Sequence, residues 1–92
     1  RLADKPVTAF TSAHNRHGGS EATILSLGNV FYHWGALIVP PGYTDPAVYA
    51  SRGNPYGTST TGGVPDDAAL EAARFQGRRL ASIAGRLLAG TR

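Results

Sequence analysis

Cysteine is absent from the 92 residues, and long apolar runs are absent as well. Without cysteine the chain contains no disulfide, no cysteine-ligated zinc, no iron–sulfur cluster and no thiolate nucleophile, which fits the reducing cytoplasm where we expect the protein. The longest apolar run, residues 36–39, has the length of a strand, whereas a helix that crosses a bilayer needs about 20 apolar residues. We therefore expect no membrane span.

Charge is also scarce, and it is unevenly placed. The chain has 9 basic and 6 acidic residues, a formal net charge of +3. Nucleic-acid binding would favour a denser basic face with interleaved aromatic side chains, so we expect a solvated helix face and no nucleic-acid partner. Five of the basic residues fall in the last predicted helix and its tail: Arg74, Arg78, Arg79, Arg86 and Arg92.

The first half of the chain follows a strand–helix–strand pattern. Residues 5–12 predict a strand covered on both faces, and 36–40 a second buried strand. Between them a loop ends at Gly18-Gly19, Ser20 is the predicted N-cap, and a helix is predicted over 21–34 with Gly35 as its C′ residue. Strands joined by a helical crossover pair in parallel, with a right-handed connection. The helix has one broad apolar arc, formed by Ile24, Leu27, Val30, Phe31 and Trp34.

The second half contains a long loop and a long helix. Residues 42–65 are predicted to be irregular, and their three tyrosines indicate an ordered or contact-making loop rather than a free linker. A helix is predicted over 66–89, with small residues that would allow close approach to a sheet. Its predicted buried stripe consists of Leu70, Ala73, Gly77, Leu80, Ala81, Ala84, Leu87 and Leu88.

Two features of the sequence could bind a ligand or take part in a reaction. The loop at 12–19 leaves the carboxyl end of a strand and enters a helix N-terminus, a corner that binds phosphates or electron-rich rings, although most such corners bind nothing. The histidines are the second feature, but no carboxylate lies at ligand spacing beside them, so we expect no metal. His33 lies about 20 Å along the helix from Ser20 and suits a helix C-terminus without any further role.

Several segments, in this order and spacing, resemble the carboxyl-terminal half of the tryptophan-repressor-binding-protein-like NAD(P)H:quinone oxidoreductases, a flavodoxin-like family. The most specific are the two Pro/Gly/Tyr-rich ones. They are Thr11-Ser-Ala-His-Asn-Arg-His-Gly-Gly-Ser-Glu21, His33-Trp-Gly35, Val39-Pro-Pro-Gly-Tyr43, Gly53-Asn-Pro-Tyr-Gly57 and Leu70-Glu-Ala-Ala-Arg-Phe-Gln-Gly77.

The resemblance implies an α/β fold, a flavodoxin-like parallel sheet with helices on both faces, of which this chain has two strands, two main helices and a long loop. It also implies an FMN enzyme of about twice this length, a homotetramer that passes two electrons from NADH or NADPH to a quinone. Residues 1–92 would then be the carboxyl-terminal half of a single domain, with the family's first phosphate loop and middle flavin loop before residue 1.

The family's flavin-wrapping loop matches seven consecutive residues here, and the family also places the counterpart of His33 at the flavin site, where we expect it to position the quinone or the hydride donor. Its distance from the loop suggests the flavin of a neighbouring subunit. The alternatives are a flavin-free structural or oligomerisation fragment and, more remotely, a nucleic-acid-binding piece. The matching loop residues are Ser12, Ala13, His14, Asn15, Arg16, His17 and Gly18, of which 14–17 replace the smaller residues of some members.

Overall fold

A computed structural model describes residues 2–90, and its architecture is α/β with parallel strand pairs, as the sequence predicts. The elements are β1 (Pro6–Val7), β2 (Thr11–Ala13), α1 (Ser20–His33), β3 (Leu37–Ile38), α2 (Pro46–Ala50), β4 (Ser59–Thr61) and α3 (Asp67–Gly90). Helix α1 packs against β2, β3 and β4, and α3 packs against β1 and α2. Among residues 2–90, no helix combines the length and the apolarity that crossing a bilayer requires.

The predicted continuous strand over 5–12 is wrong, because the segment is divided into β1 and β2. Strand β1 pairs with β3, and β2 pairs with β4, both in parallel. The carbonyl groups of Lys5 and Val7 accept from residues 37 and 39, and the Thr11 N–H donates to the Thr58 carbonyl. These are alternate positions of one extended segment, so β3 and β4 follow one another along the same edge. The segment that pairs with this edge leaves the sheet after Val39 and returns at Thr58. Residues 8–10 therefore lie between the two strand pairs and belong to neither.

The predicted irregular segment over 42–65 is wrong in two places, since it contains α2 and β4. Helix α2 begins where the Asp45 Oδ1 atom accepts a hydrogen bond from the Ala47 N–H at 2.9 Å. Val48 of this short helix is 1% exposed and is one of the most buried side chains among the described residues. The rings of Tyr43 and Tyr49 stack with centroids 4.9 Å apart. The segment therefore has its own packing, while both rings remain largely exposed.

The two ends of α1 were predicted unequally well. Gly35 adopts φ +71, its N–H donates to the Tyr32 carbonyl, and the next N–H donates to the Phe31 carbonyl. These bonds form a Schellman motif, which confirms the prediction that Gly35 is the C′ residue. At the other end, the N-cap is Gly19 in the left-handed conformation, and Ser20 is already helical, so the predicted serine cap is wrong.

The predicted apolar arc of α1 is mostly uncovered. Ile24 is 5% exposed, but Trp34 is 53% exposed, and Leu27 and Val30 are exposed too. The strands are likewise not covered on both faces, since their residues are half-buried or exposed. Helix α1 packs mainly against β2, β3 and β4, and this packing covers Ile24 but leaves Leu27, Val30 and Trp34 exposed. The buried apolar core is correspondingly small, namely Ile24, Val39, Val48, Ala69 and Ala72.

Helix α3 spans almost the predicted range, but its predicted buried stripe is wrong by one position. The Asp66 Oδ1 atom caps the helix by accepting from the Ala69 N–H at 2.8 Å. The buried positions are Ala69, Ala72 and Gln76. A Cβ added to Gly77 would meet nothing within 4 Å, so this glycine serves no close approach. The apolar pattern predicted the wrong buried face because the face that is buried contains a polar residue, Gln76.

Candidate functional site

A cleft of about 810 Å³ lies where β2 and β4 end and α1 and α3 begin. Its walls come from the loop after β2, the first turn of α1, the turn after α2, strand β4 and the segment before α3. In open parallel sheets, ligands bind at the carboxyl ends of the strands, and this volume is within the range of small-molecule sites. The fold therefore places a candidate ligand site at this edge.

The loop over residues 14–19 is shaped by its own hydrogen bonds. The Asn15 Oδ1 atom accepts from the His17 N–H at 3.1 Å, and the Asn15 carbonyl accepts from the Gly18 N–H at 3.0 Å. A Cβ on Gly18 would lie 2.7 Å from the Cβ of Ala13, so the tight turn has no room for a side chain there. Gly19, rather than Gly18, adopts the left-handed backbone conformation, with φ +83.

The end of β4 holds this loop in place from the other side. The N–H of Gly62 donates to the carbonyl groups of both Ala13 and His14 at 3.1 Å. Strand β2 also pairs in register with β4, with Ala13 opposite Thr61. The position of the loop relative to the cleft therefore depends on how β4 lies on β2.

The first turn of α1 brings unused hydrogen-bond donors to the cleft. Within residues 2–90, the N–H groups of Ser20, Glu21 and Ala22 have no backbone or side-chain acceptor. The Oγ atom of Ser20 is buried and makes no hydrogen bond. Unpaired N–H groups at a helix N-terminus carry partial positive charge and favour an anionic or acceptor-rich ligand.

Charged side chains of both signs line the same cleft. Arg16 comes from the loop after β2, and Arg52, which adopts φ +82, comes from the turn after α2. Glu21 and Asp66 supply carboxylates, but that of Asp66 is already engaged in capping α3. The two guanidinium groups and the free N–H groups of α1 leave a donor-rich site that suits an acceptor-rich ligand.

The structure brings two of the eight predicted site residues to the cleft wall, Arg16 and His17. Ser12 and Ala13 belong to β2, and the remaining loop residues, His14, Asn15 and Gly18, form the turn behind that wall.

His33 is exposed at the opposite end of α1, about 20 Å from the first turn, so the chain does not bring it to the loop. No group of three His, Asp or Glu side chains within residues 2–90 is placed to hold a metal ion.

Sequence reasoning missed the contribution of β4 and of the turn after α2. Thr60 and Thr61 line the cleft, and they lie in a threonine-rich run between Gly57 and Gly62. Such a run bounded by glycines is a strand signal that was available in the sequence. Arg52 had no such signal, because its position depends on the excursion of the chain between β3 and β4.

No family model matches the chain. Among curated proteins, one from Deinococcus radiodurans named NAD(P)H dehydrogenase (quinone) is 45% identical over 93 residues, covering 96% of this chain and 45% of the relative. Proteins of the same name from Chelativorans sp. and Sinorhizobium fredii are 37% and 41% identical, covering 96% and 95% of this chain and 49% and 48% of themselves. The chain thus spans about half the length of the curated relatives it matches. The resemblance seen in the motifs is confirmed, and this chain is a homologue, over nearly its whole length, of proteins named NAD(P)H dehydrogenase (quinone).

Proposed function

We propose that residues 1–92 are the carboxyl-terminal half of one flavodoxin-like domain in an FMN-dependent NAD(P)H:quinone oxidoreductase of the cytoplasm. The observation that carries this proposal is the match to about half of each relative named NAD(P)H dehydrogenase (quinone). The open cleft at the carboxyl ends of two parallel strands is where such a fold binds its ligand. The substrate would be a small-molecule quinone, with NADH or NADPH as electron donor.

The residues at the cleft fit FMN, whose phosphate and ring oxygens are hydrogen-bond acceptors. Three unpaired N–H groups and the unpartnered Oγ of Ser20 are donors that such a ligand can satisfy. Arg16 would balance negative charge on the cofactor, and the Asn15 turn would hold the loop in the shape that presents its N–H groups. FMN, when bound, supplies hydride acceptance from the nicotinamide and two-electron transfer to the quinone.

The protein's part in the reaction is then to position the reactants. We assign His33 to placing the quinone or the hydride donor over the ring, with proton donation as a lesser role. Because His33 is about 20 Å from its own loop, the flavin it serves would belong to a neighbouring subunit of a homotetramer. Exposed tyrosines between β3 and β4, Tyr43 and Tyr49, would contribute to the subunit contacts.

An alternative proposal is a flavin-free structural or oligomerisation piece. The observation that favours it is the exposed apolar side of α1, where Val30 and Trp34 are accessible. In the enzyme, we expect that side to be covered by the other half of the domain or by another subunit. In a flavin-free piece, the exposed side of α1 would serve only to bind another subunit.

Three measurements on the protein purified from its source test these proposals. The intact mass should be about twice that of this chain, because the relatives are about twice as long. The flavin released on denaturation should amount to about one FMN per polypeptide, and NAD(P)H oxidation should depend on added quinone. A protein of full length that neither retains nor rebinds FMN would contradict the enzymatic proposal and leave the structural one.

A further inference from the structure

Gln76 is a polar side chain buried at the centre of the packed face of α3. It is 3% exposed, and its amide makes four hydrogen bonds. The Oε1 atom accepts from the backbone N–H and from the Oγ1 of Thr58, both at 2.7 Å. The Nε2 atom donates to the Oγ1 of Thr8 at 2.7 Å and to the carbonyl of Ala9 at 2.8 Å. Both donors and both acceptor positions of the amide are therefore used.

These four bonds lie at the gap in the sheet. Ala9 lies two residues from both Val7 and Thr11, so its backbone groups point to the same edge as theirs. The backbone groups of Val7 and Thr11 bond to the adjacent segments at Val39 and Thr58. Gly57 lies against the Ala9 carbonyl, but within residues 2–90 no backbone N–H donates to that carbonyl, because the paired segment leaves the sheet after Val39 and resumes pairing only at Thr58. The Gln76 amide supplies the missing donor to the Ala9 carbonyl through Nε2, and its Oε1 accepts from the first backbone N–H of the returning segment, that of Thr58.

The bonds connect α3 to the beginning of β4 in particular. Thr58 is 7% exposed, and its N–H and hydroxyl are both held by the same Oε1 atom. The residues that follow, Ser59 to Thr61, pair with β2, and all three line the cleft. Gln76 itself does not line the cleft. Its influence on the cleft is therefore indirect, and the two bonds to Thr58 make β4 the most direct route.

We propose that Gln76 is a positioning residue for the cleft: by holding Thr58 beside Ala9 it sets where β4 lies on β2, and thereby places Thr60 and Thr61 against the first turn of α1. Of the two measurements below, only FMN binding rests on the proposed function, whereas hydrogen exchange does not. An apolar side chain at this position would leave the buried Thr58 N–H and the half-buried Ala9 carbonyl without partners, and buried backbone groups are rarely left unpaired.

The test compares two variants of the intact protein that each remove one attachment of α3. Gln76→Leu removes the bonds at the start of β4. Arg79→Met removes the bond from the Arg79 Nε to the Pro40 carbonyl, 2.9 Å long, which attaches the same helix to the segment just after β3. Amide hydrogen exchange of the flavin-free protein is followed at residues 58–62 and 37–39, and FMN dissociation constants are measured by fluorescence titration.

We expect Gln76→Leu to accelerate exchange at residues 58–62 at least tenfold, with less than a twofold change at 37–39, and to weaken FMN binding at least tenfold. Arg79→Met should leave exchange at 58–62 and FMN binding within twofold of the wild type. Equal acceleration in both segments, or an equal effect of Arg79→Met on 58–62, would overturn the proposal. Faster exchange at 58–62 with unchanged FMN binding would overturn the link to the cleft.

Two further outcomes remain informative. If Gln76→Leu does not fold, Thr58→Val removes only the hydroxyl bond to Oε1 and should accelerate exchange at 58–62 about threefold; no acceleration would contradict the proposal. If the wild-type protein binds no FMN, the proposed function fails, whereas the exchange comparison still decides whether Gln76 positions β4.

Discussion

Replacing Gly57 by alanine is expected to destabilise the protein, although the change adds only one methyl group. A Cβ on Gly57 would collide with the carbonyl oxygen of Ala9 and would lie 3.0 Å from the Cδ1 of Ile24. Neither neighbour can easily yield. The Ala9 carbonyl is held by the Nε2 of Gln76 at 2.8 Å, and Ile24 is 5% exposed.

The expected cost combines two effects. Overpacking a well-packed site costs about 1–3 kcal/mol. Displacing the Ala9 carbonyl also weakens its hydrogen bond to Gln76, and such a bond contributes about 0.5–1.5 kcal/mol. Together these predict that Gly57→Ala lowers the free energy of unfolding by about 1.5–4.5 kcal/mol, a large part of the about 5–15 kcal/mol typical of native proteins.

The assay is urea unfolding of the intact protein followed by circular dichroism, with Gly77→Ala as the matched control. Gly77 is exposed in the middle of α3, and an added Cβ meets nothing within 4 Å. Alanine favours a helix interior over glycine by about 1 kcal/mol, so this variant should be more stable than the wild type. The same substitution thus has opposite expected signs at two sites. The reasoning is refuted if Gly57→Ala changes the unfolding free energy by less than about 0.5 kcal/mol, the usual range for surface substitutions.

Three further substitutions test the cleft and its supports. Gly18→Val, which places a Cβ 2.7 Å from a neighbouring side-chain carbon, should weaken FMN binding at least tenfold by fluorescence titration, while Gly63→Val, with open space around it, should not; equal constants would contradict this. His33→Ala should lower quinone turnover more than twofold, about 0.4 kcal/mol of barrier, at unchanged FMN affinity, with Asn29→Ala as control; turnover within twofold would return the histidine to a surface role. Asp66→Ala should cost about 1 kcal/mol in urea unfolding through loss of the α3 cap, and an unchanged midpoint would show that the cap contributes nothing.

The sequence by itself determined the features that depend on near neighbours along the chain. The Schellman end of α1 at Gly35, the start of α3 after Asp66 and the parallel crossover between the first strand and Leu37 all follow from local capping and periodicity. The loop before α1 was also predicted as the candidate site, and Arg16 and His17 do line the cleft.

The tertiary structure decided whatever depends on contacts between distant segments. It divided the predicted first strand and made β4 the partner of β2. It also brought Arg52 and Thr60 to the loop. It placed Gln76, about 67 positions further along the chain, against the Ala9 carbonyl, so that a polar side chain rather than an apolar stripe became the centre of the buried face of α3. No local pattern predicts such a contact. Gln76 bonds to Ala9 and Thr58 at the break in the strand pairing, and this break arises because the chain leaves the sheet after Val39 and returns at Thr58.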